Sequence, residues 1–290
     1  MNPRFLAIGY ALAAALFYGM SAPFSKLLLN RLSPTFLASL LYIGAGLGMA
    51  VLFCFRPANS PAEKPLARAD IPWLSAMVLL DIAAPVLLLF GLKTATPATV
   101  SLLNNFEIAA TALIAGVWFK EKVGRRLWAA IGLITAACIL LTVEDFSSLA
   151  FSRGAVLALL ASICWGFENN TTRVLSGKNP LQTVMVKGFG SGLGALLLAV
   201  SLREVTFPIG HIAGALTLGA FVYGASVYCY IRAQRQLGAA RTGIYYAFAP
   251  FIGVALSFML VGQPLGVSFC AALAIMLAGT YLAVTERTRN

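Results

Sequence analysis

The sequence predicts an all-α integral membrane protein: ten transmembrane helices arranged as two oppositely oriented five-helix repeats. Three observations predict it. Of the 290 residues, 60% are hydrophobic and only 11% charged, where a soluble domain carries ~25% charged residues. The apolar residues fall into ten segments of the roughly 20 residues that a bilayer-crossing helix needs. The chain also matches itself: Tyr18, Gly19, Ser21 and Ser25 are answered 147 residues later by Trp165, Gly166, Glu168 and Thr172.

In order, the segments run approximately 5–29, 34–55, 72–93, 97–119, 126–144, 152–176, 180–202, 210–233, 239–261 and 265–284. The first opens like a signal peptide, with Arg4, a hydrophobic run and Gly19-Met-Ser-Ala22. The run continues past Pro23 to Leu29, however, and its copy at Trp165 makes it a retained first span. Most connections are short, and Ser33-Pro34 and Asn179-Pro180 punctuate two of them. The one substantial loop, Arg56 to Ile71, carries Pro57, Pro61 and Pro65.

The positive residues orient the chain. With a cytoplasmic N-terminus, 15 of the 21 Lys and Arg residues fall on the inner side, among them Arg4, Arg56, Lys64, Arg68, Lys120, Lys122, Arg125, Arg126, Lys178 and Arg287. The outer side receives four, Arg31, Lys93, Arg153 and Arg203. The bias puts both termini in the cytoplasm. It also accounts for the net charge of +11 without a nucleic acid.

The duplication extends beyond the first span. Gly44, Gly46 and Gly48 match Gly190, Gly192 and Gly194 at an offset of 146, as Pro34 matches Pro180. Later the offset falls to 142, pairing Ala98 with Ala240, Glu121 with Gln263 and Gly124 with Gly266. Five helices is an odd number, so repeats 1–146 and 147–290 must be inverted. Secondary transporters are commonly built this way, with a substrate site near the midplane between the repeats.

The glycine runs lie inside apolar helices with no preceding strand, which excludes a nucleotide-binding loop. Small residues at this spacing let helices approach closely, as static packing or as a sliding face. Pseudo-symmetric pairs project from mid-membrane positions: Tyr18 with Trp165, Ser21 with Glu168, Asp81 with Tyr223, and Asn104 with Tyr246. Asn169 shares the face of Trp165, Glu168 and Thr172, while Asn104 belongs to the polar face Ser101-Asn104-Asn105-Glu107-Thr111. Together they line a cavity of amides, hydroxyls and rings suited to a zwitterion, or else they bond one another across helices.

Asp81, Glu107 and Glu168 are acids placed well inside spans. A buried carboxyl there needs a partner, a watery cavity or a proton, so the three are candidates for proton coupling, Glu168 first. Lys26 and Arg173, equivalent positions near opposite faces, are snorkelling anchors or gate residues. Lys187 either snorkels or pairs with an acid. Pro23, Pro85 and Pro250 free backbone carbonyls within helices. Five scattered cysteines and a single histidine, His211, make neither a full disulfide framework nor a zinc site. An embedded enzyme would need clustered acids with a metal, or a nucleophile with its base; the acids here are scattered along the sequence.

With these features in place, the chain resembles the drug/metabolite transporter superfamily in its ten-helix EamA-type branch. The matching residues are Tyr18-Gly19 and Trp165-Gly166, Pro34 and Pro180, the small-residue-rich fourth and ninth helices, Pro250 and Glu121. Tyr18 stands where tryptophan is usual, Ile108 stands opposite Pro250, and Gln263 replaces the second acid. The length and polar-aromatic lining are similar to those of the YddG-type amino-acid exporters. That resemblance implies export of aromatic and other neutral amino acids from the bacterial inner membrane by alternating access, without enzymatic activity or cofactor. The expected partners are a small-molecule substrate and the lipid bilayer. Oligomeric state stays open, a monomer included. The alternatives are transport of phosphorylated sugars or nucleotide-sugars, an embedded transferase, or a lipid flippase.

Overall fold

The computed structural model describes residues 3–55, 64–118, 120, 124–145, 150–175, 177–237, 242, 245–262 and 266–285. Among these the chain is almost wholly helical, in the order α1 Pro3–Gly19, α2 Ser21–Leu28, α3 Pro34–Cys54, α4 Ile71–Thr94, α5 Pro97–Leu103, α6 Phe106–Trp118 and α7 Arg125–Thr142. There follow α8 Arg153–Leu175, α9 Pro180–Ser201, α10 Ile209–Gly219, α11 Ser226–Leu237, α12 Ala249–Val261 and α13 Val267–Val284. A short antiparallel strand pair, Val143–Asp145 with Ala150–Phe151, lies between α7 and α8. It leaves the all-helical class standing and falls where the two repeats were expected to meet.

Eight helical stretches of the described chain are long and apolar enough to cross a membrane, and Ala249–Val261 is a shorter apolar one. α8 is long enough but more polar, since it carries Arg153, Glu168, Asn169, Asn170 and Arg173 in its 23 residues. Side chains such as Leu197 (72% exposed) and Met259 (79%) point outward. An apolar exterior of that extent belongs in lipid, and the protein is a multi-pass membrane protein.

Local chemistry explains the helix starts. Ser33 and Asn179 are N-caps, each followed by proline at the first helical position. Ser33 Oγ accepts from Phe36 N–H, and Asn179 Oδ1 accepts from the N–H groups of Leu181 and Gln182. Proline at that position gives up only an N–H that the helix cannot use. Gly262, at φ 62°, closes α12 as its N–H reaches back to Phe258 O.

Several helices are interrupted halfway. A turn at Met20 separates α1 from α2, and Asn104-Asn105 separate α5 from α6. A π-helical turn, Ala220–Ala225, joins α10 to α11, and Ala247-Phe248 form a turn before α12. The Asn104-Asn105 and Ala247-Phe248 interruptions lie close to one another under the offset of 142 that relates Asn104 to Tyr246. Pro23 and Pro250 each sit just beyond an interruption, where a missing N–H and a fixed φ are tolerated; Pro85 lies within the continuous α4.

α3 and α9 pack antiparallel along their glycines. A Cβ on Gly188 would stand 2.4 Å from Gly46 N and 2.9 Å from Tyr42 O, and one on Gly192 would stand 2.7 Å from Ile43 N. The remaining glycines of the two runs face outward from this pair in matching fashion. Gly44 and Gly48 meet Leu216 and Ala220 around α10, while Gly190 and Gly194 meet Val78 and Ile82 of α4. The larger contacts follow the same exchange: α4 packs on α8 as α11 packs on α1, and α6 on α8 as α12 on α1.

One end of the α3–α9 pair is clasped: Ser33 Oγ donates to Glu204 O at 3.0 Å and Thr35 Oγ1 donates to the Glu204 carboxylate. At its other end α9 is tied to the segment leading into α4, where Asn179 N–H donates to Lys64 O at 2.8 Å and Lys178 Nζ pairs with Asp70 at 2.8 Å.

Candidate functional site

The centre of the bundle holds a buried ion cluster that joins four helices. Asp81 on α4 is 0% exposed and Glu168 on α8 2%. Lys187 on α9 bridges them, its Nζ 3.1 Å from Asp81 Oδ2 and 3.0 Å from Glu168 Oε1. Tyr42 on α3 donates to Asp81 Oδ1 at 2.9 Å, and Thr172 Oγ1 donates to Glu168 Oε1. Each carboxylate therefore has an ammonium and a hydroxyl, on different oxygens at Asp81 and both on Oε1 at Glu168, the pairing that charges need in a medium of low dielectric. The acids are scattered in sequence but not in space.

Glu107 belongs to an adjoining cluster. Asn169 Nδ2 donates to Glu107 Oε1 at 2.6 Å and to Thr111 Oγ1 at 3.3 Å, and Asn170 Nδ2 donates to Thr111 O at 3.1 Å. The polar faces of α6 and α8 thus meet each other, the outcome weighed in the sequence against an open lining.

A tyrosine array backs the ions. Tyr42 and Tyr223 stack with centroids 4.9 Å apart, and Tyr18 meets Tyr223 edge-on at 6.3 Å and Tyr246 at 5.6 Å. Tyr230 meets Tyr246 at 5.0 Å. Ser21 Oγ and Tyr223 OH lie 3.3 Å apart, linking α2 to the π-helical turn. That turn shifts the helix register at Tyr223, and Ser226 just after it donates to Ala14 O at 2.9 Å.

Beside this array lies a cavity of about 10 Å³, lined by Tyr18, Gly19, Ser21, Ala22, Ser101, Asn104, Ala249 and Pro250. That volume admits about one water, against ~300–1,000 Å³ for ligand pockets, so the cavity is closed to a substrate in this conformation. Asn104 Oδ1 is buried there without a hydrogen-bond partner among the described residues, as are both polar side-chain atoms of Asn105. Buried polar atoms without a partner are rare in folded proteins.

Of the residues singled out in the sequence, Tyr18, Ser21, Asp81, Glu168, Tyr223 and Tyr246 come together around the ion cluster and the tyrosine array. Asn104 lies at the cavity, and Asn169 with Glu107 in the adjoining cluster. Trp165, 5% exposed, packs in the apolar core beside them. Lys26 donates to Leu92 O at 2.5 Å and to Lys93 O and Ala95 O at 3.1 Å each, capping the C-terminal carbonyls of α4. Arg173 lies in the last turn of α8. Glu121 and Gln263 lie outside the described residues. Sequence reasoning missed Tyr42; for Lys187 it set snorkelling against pairing with an acid, and the structure pairs it with two. The signal for Lys187 was charge balance, because a lysine inside a span that also holds acids is most cheaply accommodated between them.

An apolar exterior around an ionic centre on continuous helices, flanked by polar and aromatic residues on interrupted ones, is the architecture of a membrane transporter. The profile of the EamA-like transporter family matches residues 5–143 and again 152–285. The chain belongs to the EamA-like transporter family, in the drug/metabolite transporter superfamily, and a transporter implies a small-molecule substrate and membrane lipid. It is similar to an uncharacterized transporter of Methanothermobacter thermautotrophicus, 25% identical over 292 residues that cover 93% of this chain and 84% of the relative. A solved crystal structure aligns over 96% of each chain with a TM-score of 0.69 at 16% identity, a likeness of fold.

Proposed function

We propose that this transporter exports amino acids, aromatic and other neutral ones, across the bacterial inner membrane by alternating access between two inverted repeats. The single observation that carries the substrate class is the juxtaposition of a buried ammonium, two carboxylates and a tyrosine array. Together they offer charges for both ends of a zwitterion and rings for its side chain. Tyr18, Ser21, Asp81, Asn104, Trp165, Glu168, Asn169, Tyr223 and Tyr246 form the binding region in this reading. Glu168, Asp81 and Glu107 carry proton coupling, while Lys26 and Arg173 act at the gates.

The topology in this reading is ten spans with both termini cytoplasmic, divided at 146/147. Supporting it are the twofold family match, the reciprocal helix contacts and the antiparallel α3–α9 pair. A phosphorylated sugar would want several cations facing a dianion; here one ammonium, Lys187, faces two carboxylates.

The test is uptake of radiolabelled Phe, Thr and Met into proteoliposomes, with and without an inward-acid pH gradient, beside Glu168→Gln. Saturable flux above empty liposomes is the expected result. Gradient-driven accumulation lost in Glu168→Gln alone identifies the proton carrier. Absence of flux for every amino acid in folded protein overturns the substrate class.

A further inference from the structure

Lys187 is held by two acids at once, and its own exposure singles it out. Its side chain is 15% exposed, against 0% for Asp81 and 3% for Glu168. Of the three charged side chains, Lys187 is the least enclosed. The groups around it are Tyr42 on the Asp81 side and Thr172 on the Glu168 side, with Tyr223 stacked on Tyr42 and Ser21 beside Tyr223. Lys26, the other lysine within a span, gives its ammonium to three carbonyls at the end of α4.

We propose that Lys187 determines the charge class of the cargo by receiving its carboxylate, while the cargo's ammonium takes the place of Lys187 on Asp81 or Glu168. The inference rests on the amino-acid reading above and deepens it. A zwitterion enters by inserting its own two charges into an existing ion pair. Lys187 and one acid each exchange a partner for another of the same sign, and the net charge of the cluster does not change. An amine lacking the carboxylate competes with a tethered ammonium already in place and brings Lys187 no anion in exchange for the one it gives up. An acid lacking the amine draws Lys187 away and strands a carboxylate. Stranding a buried charge is the costly event in such sites. The aromatic face of Tyr42 and Tyr223 lies alongside, where the side chain of a neutral amino acid is accommodated.

The test is equilibrium binding to the purified full-length protein in detergent. The probes are L-Phe, phenethylamine and 3-phenylpropionate, with L-Thr and 1-amino-2-propanol as a second pair. Wild type is expected to bind the amino acid best in each set. Lys187→Met removes the carboxylate's partner and frees the acids, so the amino-acid-to-amine affinity ratio falls by at least tenfold, and Lys187→Arg restores most of it. Since Lys187→Met alone strands two buried carboxylates, Asp81→Asn/Lys187→Met is measured beside it and is expected to move the ratio in the same direction.

A ratio unchanged within twofold, in variants that run as monodisperse folded protein, overturns the role of Lys187 and leaves the amino-acid reading standing. Folded wild type that binds none of the probes overturns both. A uniform loss of affinity for amino acid and amine alike identifies Lys187 as structural and also overturns the proposal.

Discussion

Gly188→Ala is a direct perturbation of the α3–α9 packing, because its nearest partner is backbone. The added methyl would lie 2.4 Å from Gly46 N and 2.7 Å from Gly46 Cα. Ordinary contact begins at about 3.4 Å, so α9 must retreat from α3 by roughly 1 Å. A gap of that size forfeits a quarter to a half of the dispersion energy of the atoms it separates. Overpacking of this kind costs ~1–3 kcal/mol, with the upper half expected where no flexible side chain can yield. Alanine also favours the helix over glycine by ~1 kcal/mol, which partly masks the penalty.

Gly132→Ala supplies the correction. Gly132 lies in α7 with nothing within 4 Å of its added Cβ, so that substitution reports the propensity gain alone. The difference between the two variants is then the packing penalty itself. At about 2–4 °C of Tm per kcal/mol, the scale for domains of 150–250 residues, Gly188→Ala should melt roughly 4–12 °C below Gly132→Ala in a detergent thermal-shift assay. Equal melting temperatures would refute the glycine-on-backbone contact and, with it, the α3–α9 geometry.

Two further outcomes concern stability. Lys187→Met leaves two acids without their ammonium and should destabilise by ~3–5 kcal/mol, while Asp81→Asn/Lys187→Met should cost less than the sum of its single substitutions. Additive melting shifts across that cycle would show that the pair is not coupled. Asn179→Ala removes the cap of α9 and should cost ~0.5–2 kcal/mol; it should lower Tm more than Ser201→Ala, whose hydroxyl makes an exposed local bond to Leu198 O at the other end of the helix.

Much of this arrangement is legible one residue at a time. Ser33-Pro34 and Asn179-Pro180 are start signals whose physics is local, and both cap as their chemistry requires. The matched glycine runs announce a close pair of helices, and α3 and α9 are that pair. The centre is harder to read, because its bonds join residues far apart in the chain. Tyr42 carries no repeat signal: under the offset of 146 its counterpart is Gly188, the residue that lets α9 come near it. Lys187 and its two acids are separately conspicuous, but only the fold brings them within 3.1 Å. Asn104-Asn105 and Ala247-Phe248 interrupt segments that hydropathy reads as continuous, since an interruption of two residues leaves the apolar average unchanged.

The Glu204 clasp between the start of α3 and the end of α9 has a mechanical consequence. A slip of one helical turn along this pair, ~5.4 Å, would have to break the Glu204 contacts to Ser33 and Thr35 together. It would also drive the larger residues flanking Gly46 and Gly188 into backbone. The pair is therefore an axle rather than a track. Tyr42 and Lys187 are mounted on it, and Asp81 and Glu168 on the neighbouring α4 and α8, so any tilt of those two helices against the pair would change the contacts of Lys187 with its acids.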